Sequence, residues 1–372
     1  MNEKWTYVPF TEVFDWCSKS NIGSREGVKN GKYKLFIASA TEIKKYNSFL
    51  ENGERLIFST GGNPCVHYVN EAFSYTNHTE CAKAKSDKTF VKFYYYYFQK
   101  DRYRDLQSTF VGGGIKNSSK KKIGALLVPQ LNYNEQKRIV ARIEELFSEL
   151  DNGVETLKKT RQQLAVYRQA VLKEAFQQAK EYVPLGKITE SRLGKMLDRE
   201  KNTGVLQPYL RNINVRWFSF DLSDLLEMRI ELEENEKYSV ARGDLIICEG
   251  GEPGRCAIWE QDETIFYQKA LHRVRFINGS NPKFYMYYLW LAAQTGRLNP
   301  YFTGMGIKHL TGQSLVKVLV PTARKEEQDL IVQEIESRLS VCDSIEKTVD
   351  TALQQADAMR QSILKKAFEG KL

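Results

Sequence analysis

No stretch of this 372-residue sequence approaches the ~18 uninterrupted apolar residues needed to cross a bilayer, so a membrane span is not expected. Four histidines leave little scope for imidazole-based catalysis. The six cysteines (Cys17, Cys65, Cys81, Cys248, Cys256 and Cys342) follow no framework spacing, and the opening Met1–Phe10 carries no apolar signal segment. A reducing cytoplasm is the expected setting. Phosphate and cofactor loops are missing as well. The stretch Gly27 to Gly31-Lys32-Tyr33 has the wrong spacing and the wrong final residue for a P-loop, and Gly304-x-Gly306 lacks the third glycine of a dinucleotide fingerprint. No Asn-Pro-Pro-Tyr methyltransferase signature occurs, and Glu42 with Lys44 does not make a nuclease. A non-catalytic protein is expected.

What the chain does contain is apolar material, at 42% hydrophobic and 12% aromatic, enough for packed cores rather than global disorder. Its length exceeds one ordinary core, so two or three domains are expected. A net charge of +9 favours an anionic partner such as nucleic acid, although the same excess also serves solubility.

An internal repeat organises the sequence. Residues 128–177 align without gaps on 320–369, an offset of 192, with 19 of 50 positions identical. Val128-Pro129 falls on Val320-Pro321, Glu135-Gln136 on Glu327-Gln328, Asp151 on Asp343, Arg168-Gln169 on Arg360-Gln361, and Ala175-Phe176 on Ala367-Phe368. Upstream, Gly112, Gly114, Ile115 and Lys116 fall on Gly304, Gly306, Ile307 and Lys308. The run Ile57 to Pro64 resembles Ile246 to Pro253 at offset 189, and Tyr7-Val8-Pro9 resembles Tyr182-Val183-Pro184 at offset 175. A fixed offset in one segment and drifting offsets elsewhere imply loops that diverged around an element of constant length.

That element reads as helix. Ile143, Leu150, Leu157, Leu164 and Val171 recur every seven residues, as do Ile335, Cys342, Val349, Ala356 and Ile363. Sustained heptads predict a coiled-coil seam. Ile139, Leu146 and Tyr167 flank the first row, and Ile331, Ile345, Ala352 and Met359 the second, while Asp151-Asn152-Gly153 is a candidate kink. The bland alternative, two ordinary core helices, fits poorly, because about 43 residues give a helix of ~65 Å.

The predicted order is a globular domain (1–127), a helix (128–180), a second globular domain (181–319) and a second helix (320–372). The expected fold is α+β: two similar globular α/β domains separated by two long antiparallel coiled-coil helices, an internal pseudo-two-fold repeat. Two unlike domains held by a spacer would suit an asymmetric target with two half-sites along a duplex.

These motifs resemble the specificity subunit of type I restriction–modification enzymes. Val128-Pro129, Asn134-Glu135-Gln136, Ile139-Val140 and Leu172-Lys173-Glu-Ala175-Phe176 carry the likeness. So do Gly306-Ile307-Lys308-His309-Leu310, Val320-Pro321, Glu327-Gln328 and Ser362 to Leu372. The resemblance implies that each globular domain is a target-recognition domain reading half of a bipartite double-stranded DNA site. It implies that the helices set the spacing and dock two methyltransferase subunits, and that motor–nuclease subunits complete the complex. No cofactor of the chain's own is expected; S-adenosylmethionine, ATP and magnesium belong to the expected partners. In the first domain the counterpart of Gly306 to Leu310 reads Gly114-Ile115-Lys116-Asn117-Ser118, a departure near residue 117.

A DNA-reading surface needs cations for phosphates and amides or guanidinium groups for base edges. Candidates in the first domain are Thr60, Gly62, Asn63, Tyr75, Asn77, His78, Gly114 and Lys116, within runs that also hold Gly61, Thr76, Gly113 and Ile115. In the second they are Gly250, Gly251, Arg255, Gln268, Lys269, His272, Arg273 and Lys308. Each is equally readable as a surface charge or a structural turn. Lys120-Lys121-Lys122 is a candidate phosphate grip, with a solvated charge run as the alternative. The aromatic runs Tyr94–Phe98 and Phe284–Trp290 are expected to pack rather than to stack on bases. Cys65, His67, His78 and Cys81 offer zinc-type ligands, but Gly254 stands where Cys65 would fall in the second copy, so zinc is not expected. A reading of a different class is a coiled-coil scaffold whose globular ends bind protein.

Overall fold

The computed structural model describes residues 5–114, 116–198 and 200–372 and divides into two units. The first takes Met1–Lys159 together with Val349–Leu372, and the second takes Thr160–Thr348. Each long helix, Tyr133–Ala175 and Lys325–Phe368, contributes to both.

In the first unit the central strand Glu54–Ser59 pairs antiparallel with Val66–Asn70 and Thr79–Ala84, and the latter with Phe14–Trp16. Alternate residues of this strand serve opposite faces. Leu56 and Phe58 enter a core beneath the helix Val91–Gln99, whereas Ile57 enters a smaller core with Phe36, Phe73 and Tyr75 under the mixed sheet Ile43–Tyr46, Tyr33–Phe36 and Phe73–Tyr75. Burial on both faces is why the run reads as continuously apolar rather than alternating. The second unit repeats the plan. Leu245 and Ile247 face the helix Pro282–Gln294, and Ile246 and Cys248 face the other way, with Leu271–Phe276 and Cys256–Ile258 as neighbours.

Val128-Pro129 and Val320-Pro321 are strand, not the start of helix. Leu127–Gln130 pairs with Thr6–Pro9, and Leu319–Pro321 with Tyr182–Pro184, so the chain entering each domain is zipped to the chain leaving it. Proline is tolerated because each ladder has only two strands. The long helices begin after this zip, at Tyr133 and Lys325.

The long helices run antiparallel within each unit. In the second, Glu174 pairs with Arg338 and Arg168 with Asp343, partner numbers falling as the first helix advances. In the first, Asp151 pairs with Arg360, whose guanidinium also lies over the Phe147 ring. Arg168–Asp343 and Arg360–Asp151 are the same repeat positions, made once in each unit. The seam buries Ile143, Leu164, Val171, Ile335, Cys342, Val349 and Ala356, with Leu150, Leu157 and Ile363 half-buried. Three flanking expectations fail: Tyr167, Ile345 and Met359 are exposed. A two-helix pair covers one stripe of each helix, and the rows beside it meet solvent. The expected kink at Asp151-Asn152-Gly153 is also absent. Helix runs unbroken through Gly153, whose cost of about 1 kcal/mol is small beside the packing on either side.

The repeated motif residues hold the domains to these helices. Buried Gln136 accepts from the Phe90 amide at 2.8 Å and donates to the Leu131 carbonyl at 2.8 Å. Gln328 does the same with the Asn281 amide at 2.8 Å and the Ala323 carbonyl at 2.9 Å. Phe368 packs edge-on against Phe93 and Tyr97, and Phe176 against Phe284 and Tyr288. The aromatic runs Tyr94–Phe98 and Phe284–Trp290 thus supply core.

Candidate nucleic-acid interface

Three loops meet at one end of the central strand in each unit. In the first, the Thr60 amide donates to the His78 carbonyl at 2.9 Å and the Ser118 amide to the Thr60 carbonyl at 2.8 Å, while Val111 and Asn117 exchange backbone bonds. In the second, the Glu249 amide donates to the Ala270 carbonyl at 3.0 Å and the Leu310 amide to the Glu249 carbonyl at 2.7 Å, while Thr303 and His309 exchange backbone bonds. The hydrogen-bonded knot is therefore duplicated bond for bond.

The paired glycines of the first loop follow from this geometry. A Cβ on Gly61 would stand 3.2 Å from Asn117 Oδ1, and one on Gly250 3.1 Å from His309 Nδ1. Gly62 and Gly251 have φ of +72° and +73°, open to glycine at little cost. At the departure near residue 117, Asn and His occupy the same place against a glycine.

The knot gathers most of the expected residues. Gly62, Asn63, Asn77, His78, Gly114 and Lys116 are exposed around the first, with Thr60 half-buried; Ile115 lies outside the described residues. Gly251, Lys269 and Lys308 are exposed around the second, with Gln268 half-buried and Gly250 buried beneath. Thus Gly250 offers backbone only, its carbonyl accepting from Asn212 Nδ2 at 3.0 Å.

Four expectations are corrected. Tyr75 is buried and its hydroxyl donates to the Ser18 carbonyl, as its counterpart Tyr267 does to Arg192 at 3.1 Å. Burial raises both phenols, Tyr267 to about 12. His272 is buried beside the Leu310 carbonyl, 2.9 Å from Nε2, and burial lowers its pKa, so it supports the third loop from beneath. Arg273 is buried with its guanidinium on the Ser239 and Glu236 carbonyls, and desolvation lowers its pKa. Arg255 donates to Glu252 at 3.0 Å and to the Asn212 carbonyl at 2.9 Å, bracing the loop rather than presenting a free fork. Lys120 is likewise tied, to Glu80 at 3.2 Å and the Cys17 carbonyl at 3.3 Å. Of the zinc-type residues, His67 Nε2 lies 2.8 Å from the Ser39 carbonyl, and the Cys81 carbonyl accepts from the Cys17 amide at 2.8 Å.

Sequence reasoning missed Asn212, which ties a fourth segment to Gly250 and Arg255. It also missed Lys195, buried between Glu231 and Glu234, whose carbonyl accepts from the Lys269 amide at 2.8 Å. Both lie where the first domain has no matching motif, so the repeat gave no signal.

The model of the type I restriction modification DNA specificity domain matches residues 2–164 and 180–355, one match over each knot. The chain belongs to that family. Each specificity domain includes the loops described above and part of a long helix. Among curated relatives, the EcoKI type I restriction enzyme specificity subunit of Escherichia coli K12 is 25% identical over 316 residues, 78% of this chain and 68% of its own length. The EcoBI specificity subunit of Escherichia coli is 26% identical over 294 residues, 69% of this chain and 61% of its own. A chain solved in a study of complex assembly and conformational transition of the type I R-M system superposes with a TM-score of 0.80 at 15% identity, covering 100% of this chain and 99% of that one. The HsdS subunit from Thermoanaerobacter tengcongensis superposes at 0.59 with 16% identity, covering 100% of this chain and 98% of that one. At such identities the likeness concerns fold.

Proposed function

We propose that this chain is the DNA specificity subunit of a type I restriction–modification assembly, with no chemistry of its own. Each domain reads one half of a bipartite, asymmetric duplex site through its knot. The observation that carries this reading is the same hydrogen-bonded knot built twice with different exposed side chains: Asn63, Asn77 and His78 around one, Glu252 and Lys269 around the other. A common frame with unlike faces suits one mode of docking and two different sequences. The long helices would set the half-site spacing and dock two methyltransferase subunits, with motor–nuclease subunits completing the complex. S-adenosylmethionine, ATP and magnesium would be held by those partners. Among the described residues no helix is long and apolar enough to cross a membrane, and a cytoplasmic location is part of the proposal.

Methylome sequencing of cells with and without this gene, in the presence of the partner methyltransferase, tests it. One asymmetric, interrupted methylated motif should appear with the gene. Methylation of the same motif without the gene would overturn the reading, and cleavage or methyl transfer by the isolated chain would revive an enzymatic one. A salt-insensitive chain with no duplex affinity would favour the protein-binding scaffold.

A further inference from the structure

The third loop of the second domain carries apolar side chains outward. Met305 is fully exposed and Ile307 is 74% exposed, set between Gly304, Gly306 and the exposed Lys308. Single exposed apolar residues are ordinary. These two are distinguished by where they stand. The base of their loop is clamped by the two backbone bonds between Thr303 and His309, at 2.8 and 2.9 Å, and by the Leu310 amide on Glu249. Gly304, at φ +98°, turns so tightly that a Cβ would come within 2.3 Å of the Ile307 carbonyl oxygen. A stiff base thus presents an apolar tip on the same knot that carries the exposed Gly251, Lys269 and Lys308.

We propose that Met305, with Ile307 behind it, is a wedge that enters a base step of the duplex at the second half-site; this rests on the DNA-reading function above. Proteins that distort DNA insert such side chains between bases and unstack them, with neighbouring cations holding the phosphates. Two side chains are far too small an area to found a protein interface. A cation-flanked tip fits a duplex better than an apolar partner surface. The first domain makes the same clamped loop, with Val111 and Asn117 in the roles of Thr303 and His309, but has Gly113 where Met305 stands. The wedge therefore belongs to the second half-site alone. That half-site should favour an easily unstacked pyrimidine–purine step, and the first should not.

The test uses the full chain with its methyltransferase subunits and duplexes carrying 2-aminopurine at successive positions of the second half-site. Binding should raise the fluorescence at one step. Met305→Gly should abolish that rise and weaken binding about tenfold, with melting temperature and the salt slope of binding unchanged. Met305→Leu should retain the rise. Wild-type binding and fluorescence in Met305→Gly would overturn the wedge while leaving DNA reading intact. Loss of the methyltransferase subunits by Met305→Gly, with fluorescence unaltered, would make the tip a protein contact instead. A wild-type complex that binds no duplex would remove the DNA reading and the wedge together.

Discussion

The first unit is assembled from two stretches far apart in sequence and the second from one, yet both are built from the same parts. Phe368 reaches Phe93 and Tyr97 from the far end of the chain, whereas Phe176 reaches Phe284 and Tyr288 within one continuous segment. Loop-closure entropy grows only logarithmically with length, so the longer closure is tolerated thermodynamically. Many residues that hold the frame are the same in both units: Gln136 and Gln328, Phe368 and Phe176, Gly61 and Gly250, Tyr75 and Tyr267. Residues that face outward differ, as Asn63 against Glu252, His78 against Ala270, and Gly113 against Met305. Packing constrains the frame and leaves the outward face free to change.

The sharpest way to break this equivalence is to stop the chain after Ile363, which removes Leu364, Ala367 and Phe368 from the first core. A buried aromatic alone is worth about 3–5 kcal/mol, a large share of a typical 5–15 kcal/mol total. Limited proteolysis with mass spectrometry should then show the first unit digested and a fragment near 160–348 surviving. Equal digestion of both would show that the units do not stand independently. Phe176→Ala should reverse the asymmetry, costing the second unit about 3–5 kcal/mol in hydrogen-exchange protection while the first keeps its own.

Gln136→Leu and Gln328→Leu each remove two hydrogen bonds, one to the amide of Phe90 or Asn281 and one to the carbonyl of Leu131 or Ala323, and should cost about 1–3 kcal/mol apiece by urea denaturation. Clearly unequal costs would mean that the two glutamines are not equivalent.

Protonation should separate the units in a smaller way. Burial lowers His272 below the usual imidazole value, so the unfolded chain binds the proton first. Its contribution is complete above about pH 6.5 and is lost as pH falls from there toward the folded value. The position in the first unit is Glu80, paired with Lys120. His272→Gln should flatten the second unit's acid sensitivity without touching the share due to His67, whose pKa burial also lowers. An unchanged pH profile in hydrogen exchange would refute this. The weakest effects belong to Arg168–Asp343 and Arg360–Asp151. Double-mutant cycles should give below about 1 kcal/mol for each, falling with added salt; a coupling several times larger in one unit would end their equivalence.

Much of this was legible in advance. The ungapped 192-residue offset marked the duplicated long helices, because a helix seam cannot change length without losing its heptad register. The glycine pairs marked the knot, because close backbone approach leaves few other choices. Tyr75, His272, Arg273 and Arg255 were misread for one reason: a polar side chain next to a loop has the same appearance in sequence whether it points outward or braces the loop from below. Val128-Pro129 and Val320-Pro321 were misplaced because the hydrogen-bond partner that makes each a strand lies over a hundred residues upstream.

Periodicity, duplication and the absence of catalytic motifs were determined by the amino-acid sequence itself, since each depends only on spacing along the chain. Which cations remain free, which glycine stands beneath which loop, and that the C-terminal Phe368 completes the first domain were decided by tertiary structure. Those properties depend on burial and on hydrogen-bond partners, and both come into being only when distant segments meet.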